Sequence, residues 1–449
     1  MNNSAQFEDK ASRSRSAYEG ESSAAYATGS AGLATLVRGS SRRITIMRFR
    51  PANIRLINRR SNLPRLRLAL SSNKNNRNNP TDVQKLTGSL HIGMDRNLIR
   101  ISKPAAYSSF LAAMVLAGCA SVPVTQYHAF GASITSGYSL SDPATQVYPA
   151  LVAAYEHVSL VNYGTPGDQA CDVPTRQIFA NKDNPTVATH MEYSVLIGTN
   201  DVDSKGIGAY ESVFMLCHQA TLSWLAIPAE YKTLANDTRV TPSGAGAIDS
   251  SNNWNAWTTA GQGSSVSFPI TLTRKGPIYA WPRISDNNPA SFTYSLDGVV
   301  LGTASTQTQP SILTLKGTTD SLGFLRLPPV LPGKHVVTFT QTSVGANGVS
   351  VVGIGTPAGP ATNMMPTVLA GTITYQFNTG QCNPTSEEPC LEYTQDIEAD
   401  EKLFSADGLD VRLFDTRKYM FGTAAEMNDA LHPNVLGQIE LSHSVEASW

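Results

Sequence analysis

A serine set among small residues, a late aspartate three places ahead of a histidine, and an asparagine with glycines between them are the residues of this chain that could transfer an acyl group. The serine is Ser133, in the stretch from Tyr127 to Gly137 that reads YHAFGASITSG. Glycine and alanine before it, with Ile134 and Thr135 after it, suit a tight strand-to-helix turn that exposes the hydroxyl and points a backbone N–H toward it. Three later stretches read as its partners: Asn162 to Asp168 (NYGTPGD), Ile197 to Asp201 (IGTND) and Asp429 to Pro433 (DALHP). Together they supply a nucleophile, an oxyanion site and a base. A serine hydroxyl is a poor nucleophile at neutral pH, so His432 must accept its proton during attack, with Asp429 close enough to fix the imidazole tautomer.

The elements that must position these groups follow from periodicity and turn chemistry. Gln146 to His157 reads as a helix with Val147, Leu151 and Tyr155 spaced to bury one face. Val158 to Tyr163 is a short strand, after which Gly164 and Gly167 bracket Thr165-Pro166 and let backbone N–H groups approach a ligand. Glu192 to Ile197 is a third strand, and Gly198 turns the chain so that Asn200 lies at the carboxyl edge of the sheet, where α/β folds bind ligands. Ala209 to Trp224 is a helical crossover. Late in the chain, Thr394 to Ala406 reads as a helix with Ile397, Leu403 and Phe404 near its buried side. Leu409 to Phe414 is the last strand, and Asn434 to Ser442 a closing helix with Val435, Ile439 and Leu441 available for packing. The expected fold class is α/β, a three-layer αβα sandwich with a mostly parallel sheet.

That pattern breaks between Val240 and Gly348, where Ser, Thr, Gly and Asn dominate and short β-prone runs (SVSFPITL, PASFTYSL, KHVVTFTQ) are separated by turns such as Leu296-Asp297-Gly298 and Leu331-Pro332-Gly333. The spacing predicts an inserted all-β sandwich. Trp254, Trp257, Tyr279 and Trp281 could line a carbohydrate-binding surface there, but packing in a core is the favoured expectation. The α/β core is expected to resume near Val351 to Ile354. The layout is thus an N-terminal extension over 1–93, a signal-like segment over 94–119, core over 120–239, insertion over 240–349 and core again over 350–449.

The 449 residues suffice for two domains plus extensions, and a net charge of -1 gives no reason to expect nucleic acid as a partner. The first 93 residues are rich in Arg, Ser and Asn with weak apolar periodicity, and read as disordered or as an over-extended gene start. Arg96, Arg100 and Lys103 then form a positive region, Ala105 to Leu116 a short apolar one, and Leu116-Ala117-Gly118-Cys119 a small-residue ending. The apolar run is too short for a comfortable membrane span. The segment resembles a bacterial lipoprotein signal. That resemblance implies lipidation at Cys119, a natural start at Met94, and a mature protein anchored in the cell envelope on the outer-membrane or periplasmic side.

Of the other cysteines, Cys382 and Cys390 flank a polar loop (CNPTSEEPC) that a disulfide could staple, while Cys171 and Cys217 either pair or stay free and buried. No Cys and His spacing resembles a zinc site. Asp168, Asp201 and Asp203 invite a metal reading, yet Asp168 and Asp201 more simply tie strand-end loops together by accepting backbone N–H groups, and no metal is assigned to any of the three.

With these motifs in order, the chain resembles an SGNH (GDSL-type) hydrolase, with Gly131-Ala132-Ser133 standing where many members have Gly-Asp-Ser. The resemblance runs from Tyr127 to Ser442, leaving out the insertion. It implies that Ser133 is the nucleophile, that the Ser133 and Gly167 N–H groups and the Asn200 amide form the oxyanion hole, and that His432 and Asp429 are base and orienter. Ala132 departs from the pattern at a position that bears on the turn more than on the chemistry. The implied function is a serine esterase working through an acyl-enzyme without a cofactor, on a short acyl ester or a carbohydrate O-acetyl group. Lipase, phospholipase and thioesterase activities stay open within that class, with small-molecule, lipid or glycan esters as substrates. The alternative is a surface carbohydrate-binding protein with a weakly active core.

Overall fold

The computed structural model describes residues 126–449, apart from 207, 309, 345–347, 360–364, 378–381 and 383–387. The N-terminal extension, the signal-like segment and Cys119 lie outside the described residues. In chain order the strands are β1 (Gln126–Gly131), β2 (Ser159–Asn162), β3 (Met191–Leu196), β4 (Lys232–Leu234), β5 (Thr241–Ser243), β6 (Gly246–Asp249), β7 (Ala256–Thr259), β8 (Ser265–Leu272), β9 (Gly276–Ser285), β10 (Ser291–Leu296), β11 (Val299–Ser305), β12 (Asp320–Leu322), β13 (Leu325–Val330), β14 (Gly333–Gln341), β15 (Ser350–Gly355), β16 (Thr367–Gly371) and β17 (Asp410–Phe414). The helices are α1 (Ser133–Ser136), α2 (Pro143–Gln146), α3 (Tyr148–Glu156), α4 (Thr199–Lys205), α5 (Glu211–Ala226), α6 (Glu388–Asp407) and α7 (Val435–Glu446). Among the described residues no helix is long and apolar enough to cross a membrane.

The architecture is α/β, with one parallel core sheet flanked by helices and additional antiparallel sheets. The core sheet runs β17-β16-β3-β1-β2. Its three central strands are almost wholly buried, as parallel strands covered on both faces must be. Alternation along the strands sends residues to opposite faces. Tyr127, Ala129 and Leu369 join Tyr148, Val152, Leu441 and Val445 of α3 and α7 on one face. Phe130, Tyr193, Val195 and Val368 join Phe214, Cys217, Ile397 and Phe404 of α5 and α6 on the other. A disulfide between Cys171 and Cys217 ties the loop after β2 to α5, and a second joins Cys382 to Cys390 at the start of α6.

Two antiparallel sheets stand beside this core. One runs β11-β10-β14-β8-β5; the other runs β12-β9-β15-β7-β6, with β13 also paired to β9 and β4 to β15. Strand β8 alternates cleanly, burying Val266, Phe268, Ile270 and Leu272 against Phe339, Phe292, Ile278, Ala280 and Leu327. Strand β9 is buried on both sides. Ile278 and Ala280 face the sandwich, while Tyr279 and Trp281 join the α/β core cluster. There the Trp281 indole donates to the Ser223 hydroxyl of α5, and the Tyr279 hydroxyl donates to Asp407 of α6, which also holds Arg326. Burial of Trp254, Tyr279 and Trp281 removes three of the four aromatics from any sugar-binding surface, and Trp257 is half-buried.

Several sequence expectations are corrected. The run Val351 to Ile354 is not a core strand: it lies in β15, antiparallel to β9, β7 and β4, with Val351 and Ile354 filling the sandwich. A short apolar run fits a parallel or an antiparallel strand equally well, and only its partner decides. The parallel sheet resumes instead at β16, which pairs with β3. The first long helix is split at Val147, which is extended, with Pro149 in the first turn of α3. Its buried face is Tyr148, Pro149, Val152 and Ala153, leaving Tyr155 66% exposed. In α7, Val435 is exposed, and packing falls to Leu441 and Val445.

Trp281 sits where the antiparallel sheet meets α5, so Trp281→Ala should lower the unfolding free energy by about 3–5 kcal/mol. Urea denaturation followed by circular dichroism measures this; a loss under about 1 kcal/mol would mean that this contact does not hold the two parts together.

Candidate active site

The site lies at the carboxyl end of the parallel sheet. Strand β1 ends at Gly131, and Ser133 opens α1 two residues later. That turn demands a glycine: a Cβ on Gly131 would stand 2.4 Å from the Leu196 carbonyl oxygen and 2.2 Å from the Thr135 hydroxyl oxygen. Gln177, on a π-helical stretch from Val173 to Phe179, accepts the Gly131 N–H at 3.1 Å and donates to its carbonyl at 2.8 Å. From the other side, the Gln438 amide of α7 donates to the Ile134 carbonyl, and its oxygen accepts the Tyr148 N–H. Ser133 is therefore held on a backbone bonded to elements on both sides of the sheet.

His432 Nε2 lies 3.1 Å from Ser133 Oγ, and its Nδ1 lies 2.8 Å from Asp429 Oδ2. The same carboxylate accepts the N–H groups of Leu431 and His432 through Oδ1, at 2.8 and 2.7 Å. These bonds close the Asp-x-x-His stretch into a tight turn that sets both side chains at once. The hydrogen bonds to His432 and to the backbone hold the Asp429 carboxyl below its usual range, outweighing the opposing effect of burial. With Asp429 ionised, Nδ1 carries the hydrogen and Nε2 faces the Ser133 hydroxyl as an acceptor. Tyr138 covers the imidazole with ring centroids 4.7 Å apart.

The residues expected to form an oxyanion hole lie at helix and loop ends. Ser133 is the first residue of α1, so its N–H has no acceptor within the helix. Gly167 adopts φ +82°, a left-handed conformation natural to glycine, and its N–H has no acceptor among the described residues. Asn200, in the first turn of α4, gives one amide hydrogen to the Asp168 carbonyl at 2.8 Å and keeps the second.

Of the two strand-end aspartates, only Asp201 accepts a backbone N–H as expected, while the Asp168 carboxylate is held by side chains instead. Asp168 is fully buried, receives the Arg176 guanidinium at 3.2 Å and the Gln177 amide at 2.9 Å, and burial pushes its pKa up to about 6. Asp201 accepts the Ala170 N–H, and burial pushes it up to about 7. Asp203 meets the Gln376 amide. Among the described residues no cluster of His, Cys, Asp and Glu has the form of a metal site.

The structure brings Ser133, His432 and Asp429 into one hydrogen-bonded row, and the Gly167 and Asn200 loops meet through the Asp168 carbonyl. Cys119 lies outside the described residues, and the Cys382–Cys390 disulfide ties the segment ahead of α6 to its first turn. Gln177, Gln438 and Tyr138 escaped sequence reasoning because a lone glutamine or tyrosine carries no spacing signal; each matters only through a contact made across the fold.

No protein-family model matches the chain, and no curated protein does. Solved structures show a likeness. A member of the lipolytic protein G-D-S-L family from Veillonella parvula is 11% identical over 72% of this chain and 97% of its own, with a TM-score of 0.33. A two-domain esterase active on acetylated mannans, co-crystallised with mannopentaose, is 13% identical over 56% of this chain and 95% of its own, with a TM-score of 0.30. A family 35 carbohydrate-binding module from an environmental isolate is 14% identical over 29% of this chain and 99% of its own, with a TM-score of 0.23.

If the free amide hydrogen of Asn200 meets charge that develops during reaction, Asn200→Ala should lower kcat roughly 10²-fold or more with a smaller change in KM. Steady-state kinetics on an activated ester decides it; an effect confined to KM would assign Asn200 to ground-state binding.

Proposed function

We propose that this protein is a serine esterase of the SGNH hydrolase type, acting on short acyl esters that include carbohydrate O-acetyl groups. The observation that carries the reading is the row Ser133 Oγ, His432 Nε2, His432 Nδ1, Asp429 Oδ2, with steps of 3.1 and 2.8 Å at its two hydrogen bonds. Ser133 Oγ attacks the ester carbonyl as His432 Nε2 takes its proton, and Asp429 stabilises the imidazolium. The carbonyl oxygen, now an oxyanion, accepts hydrogen bonds from the N–H groups of Ser133 and Gly167 and the free amide hydrogen of Asn200. Collapse expels the alcohol, which receives the proton from His432. Water then attacks the acyl-enzyme with His432 as base, releasing the acid and restoring Ser133.

The same reading treats the antiparallel sheets from β4 to β15 as a domain inserted into the hydrolase core, with the core on both sides of it. It also takes the protein to be a lipoprotein of the bacterial cell envelope, anchored through Cys119, on the strength of the segment from Met94 to Cys119. The glycan-binding alternative loses support from the burial of Trp254, Tyr279 and Trp281.

A panel of p-nitrophenyl esters from acetate to long acyl chains, with Ser133→Ala alongside, tests the activity. The expected result is turnover favouring short chains that the variant lowers about 10⁴-fold or more. Equal rates for both proteins would sink the serine mechanism. For the anchor, Cys119→Ser should move the expressed chain from the membrane fraction to the soluble one; unchanged partitioning would exclude Cys119 as the attachment point.

A further inference from the structure

The loop between β11 and β12 leaves the antiparallel sheets and lands on the candidate site. Asp172 receives the Thr314 hydroxyl at 2.9 Å and the Thr318 hydroxyl, as well as the Gln169 N–H at 2.8 Å. The Gln169 side chain accepts the Leu315 N–H at 2.8 Å and donates to Ser204 of α4, while Lys205 of the same helix donates to the Leu313 carbonyl at 2.7 Å. On the loop's other side Asp286 accepts the hydroxyls of Thr308 and Ser311 and the N–H groups of Ile312 and Leu313. Ile312 and Thr314 point inward and are buried, whereas Leu313 and Leu315 are exposed.

Held in this way, the loop presents Lys316 to the glycine that carries an oxyanion donor. A Cβ on Gly167 would meet Lys316 Cε at 2.8 Å and Nζ at 3.2 Å, so the lysine stem and ammonium lie against the one face of Gly167 that has no side chain. Lys316 is exposed and forms no ion pair among the described residues; the nearby Asp168 carboxylate has Arg176 and Gln177 as partners. The Lys316 charge acts on the Asp168 carboxylate but forms no ion pair with it, so the ammonium, flanked by the exposed Leu313 and Leu315, stays open to a second negative charge.

We propose that Lys316 is a specificity residue by which the loop selects esters bearing a carboxylate close to the scissile bond, on either the acyl or the alcohol side. The proposal rests on the esterase reading above and deepens it by naming a substrate class.

Two matched pairs of esters test it in the full chain: 4-nitrophenyl hydrogen adipate against 4-nitrophenyl hexanoate for charge on the acyl side, and 4-acetoxybenzoate against its methyl ester for charge on the alcohol side. The readout is the ratio of kcat/KM, anionic over neutral, within each pair. In the unmodified protein at least one ratio should exceed that of Lys316→Met by about fivefold or more at low ionic strength, and should shrink as salt is added. Lys316→Arg should keep the preference and Lys316→Glu should reverse it; which pair responds tells the side on which the charge lies. Ratios that are the same in the unmodified protein and Lys316→Met overturn the proposal while leaving the esterase reading intact. Absence of Ser133-dependent turnover of all four esters overturns both.

Discussion

The close approach of β1 to β3 at Gly131 is the constraint on which the rest of the site depends. With the Leu196 carbonyl oxygen and the Thr135 hydroxyl occupying the space of a side chain, the turn after β1 can form only around a glycine. Gln177 then takes both polar groups of that backbone, and its amide also reaches Asp168. One side chain thus couples the Ser133 turn to the loop carrying Gly167. Asp168 passes the coupling on through its carbonyl to Asn200. A buried polar chain of this kind tolerates little slack, because each unpaired member would carry the full cost of desolvation.

His432 arrives from the other end of the chain by a separate route. Asn434 caps α7 by accepting the N–H groups of Leu436 and Gly437, and Gln438 on that helix bonds to the backbone at Ile134 and Tyr148. The helix after His432 therefore docks on the helix that begins at Ser133. The Asp429 turn fixes the imidazole locally, and α7 fixes where that turn sits, so the 3.1 Å contact joins residues 299 positions apart.

The antiparallel part is built into the α/β core and contributes to it. A strand such as β9, with Ile278 and Ala280 on one face and Tyr279 and Trp281 on the other, buries both faces only when sandwich and helices press on it together. Arg326 and Tyr279 converge on Asp407 at the end of α6, adding a charge-assisted tie across the same boundary. The loop carrying Lys316 is a second bridge, bonded to Asp172 and Gln169 beside the site and to Asp286 within the β part.

The sequence by itself determined the local features. The strand-to-turn pattern around Ser133, the glycine-rich end of β2, the asparagine after β3 and the Asp-x-x-His turn are short-range signals, written in residues whose backbone freedom or side-chain chemistry acts within a few positions. The alternating runs of the β segment are equally local. Partnership was decided only in the tertiary structure. The run at Val351 to Ile354 takes its place beside β9 because the facing sheet offers Phe268 and Phe339 to cover it. Trp254, Tyr279 and Trp281 are core residues because two layers close on them, and Gln177, Gln438 and Lys316 acquire their places through contacts far along the chain. A residue type announces what a group can do, whereas long-range packing chooses what it meets, and that choice is a sum over contacts that no local window of sequence contains.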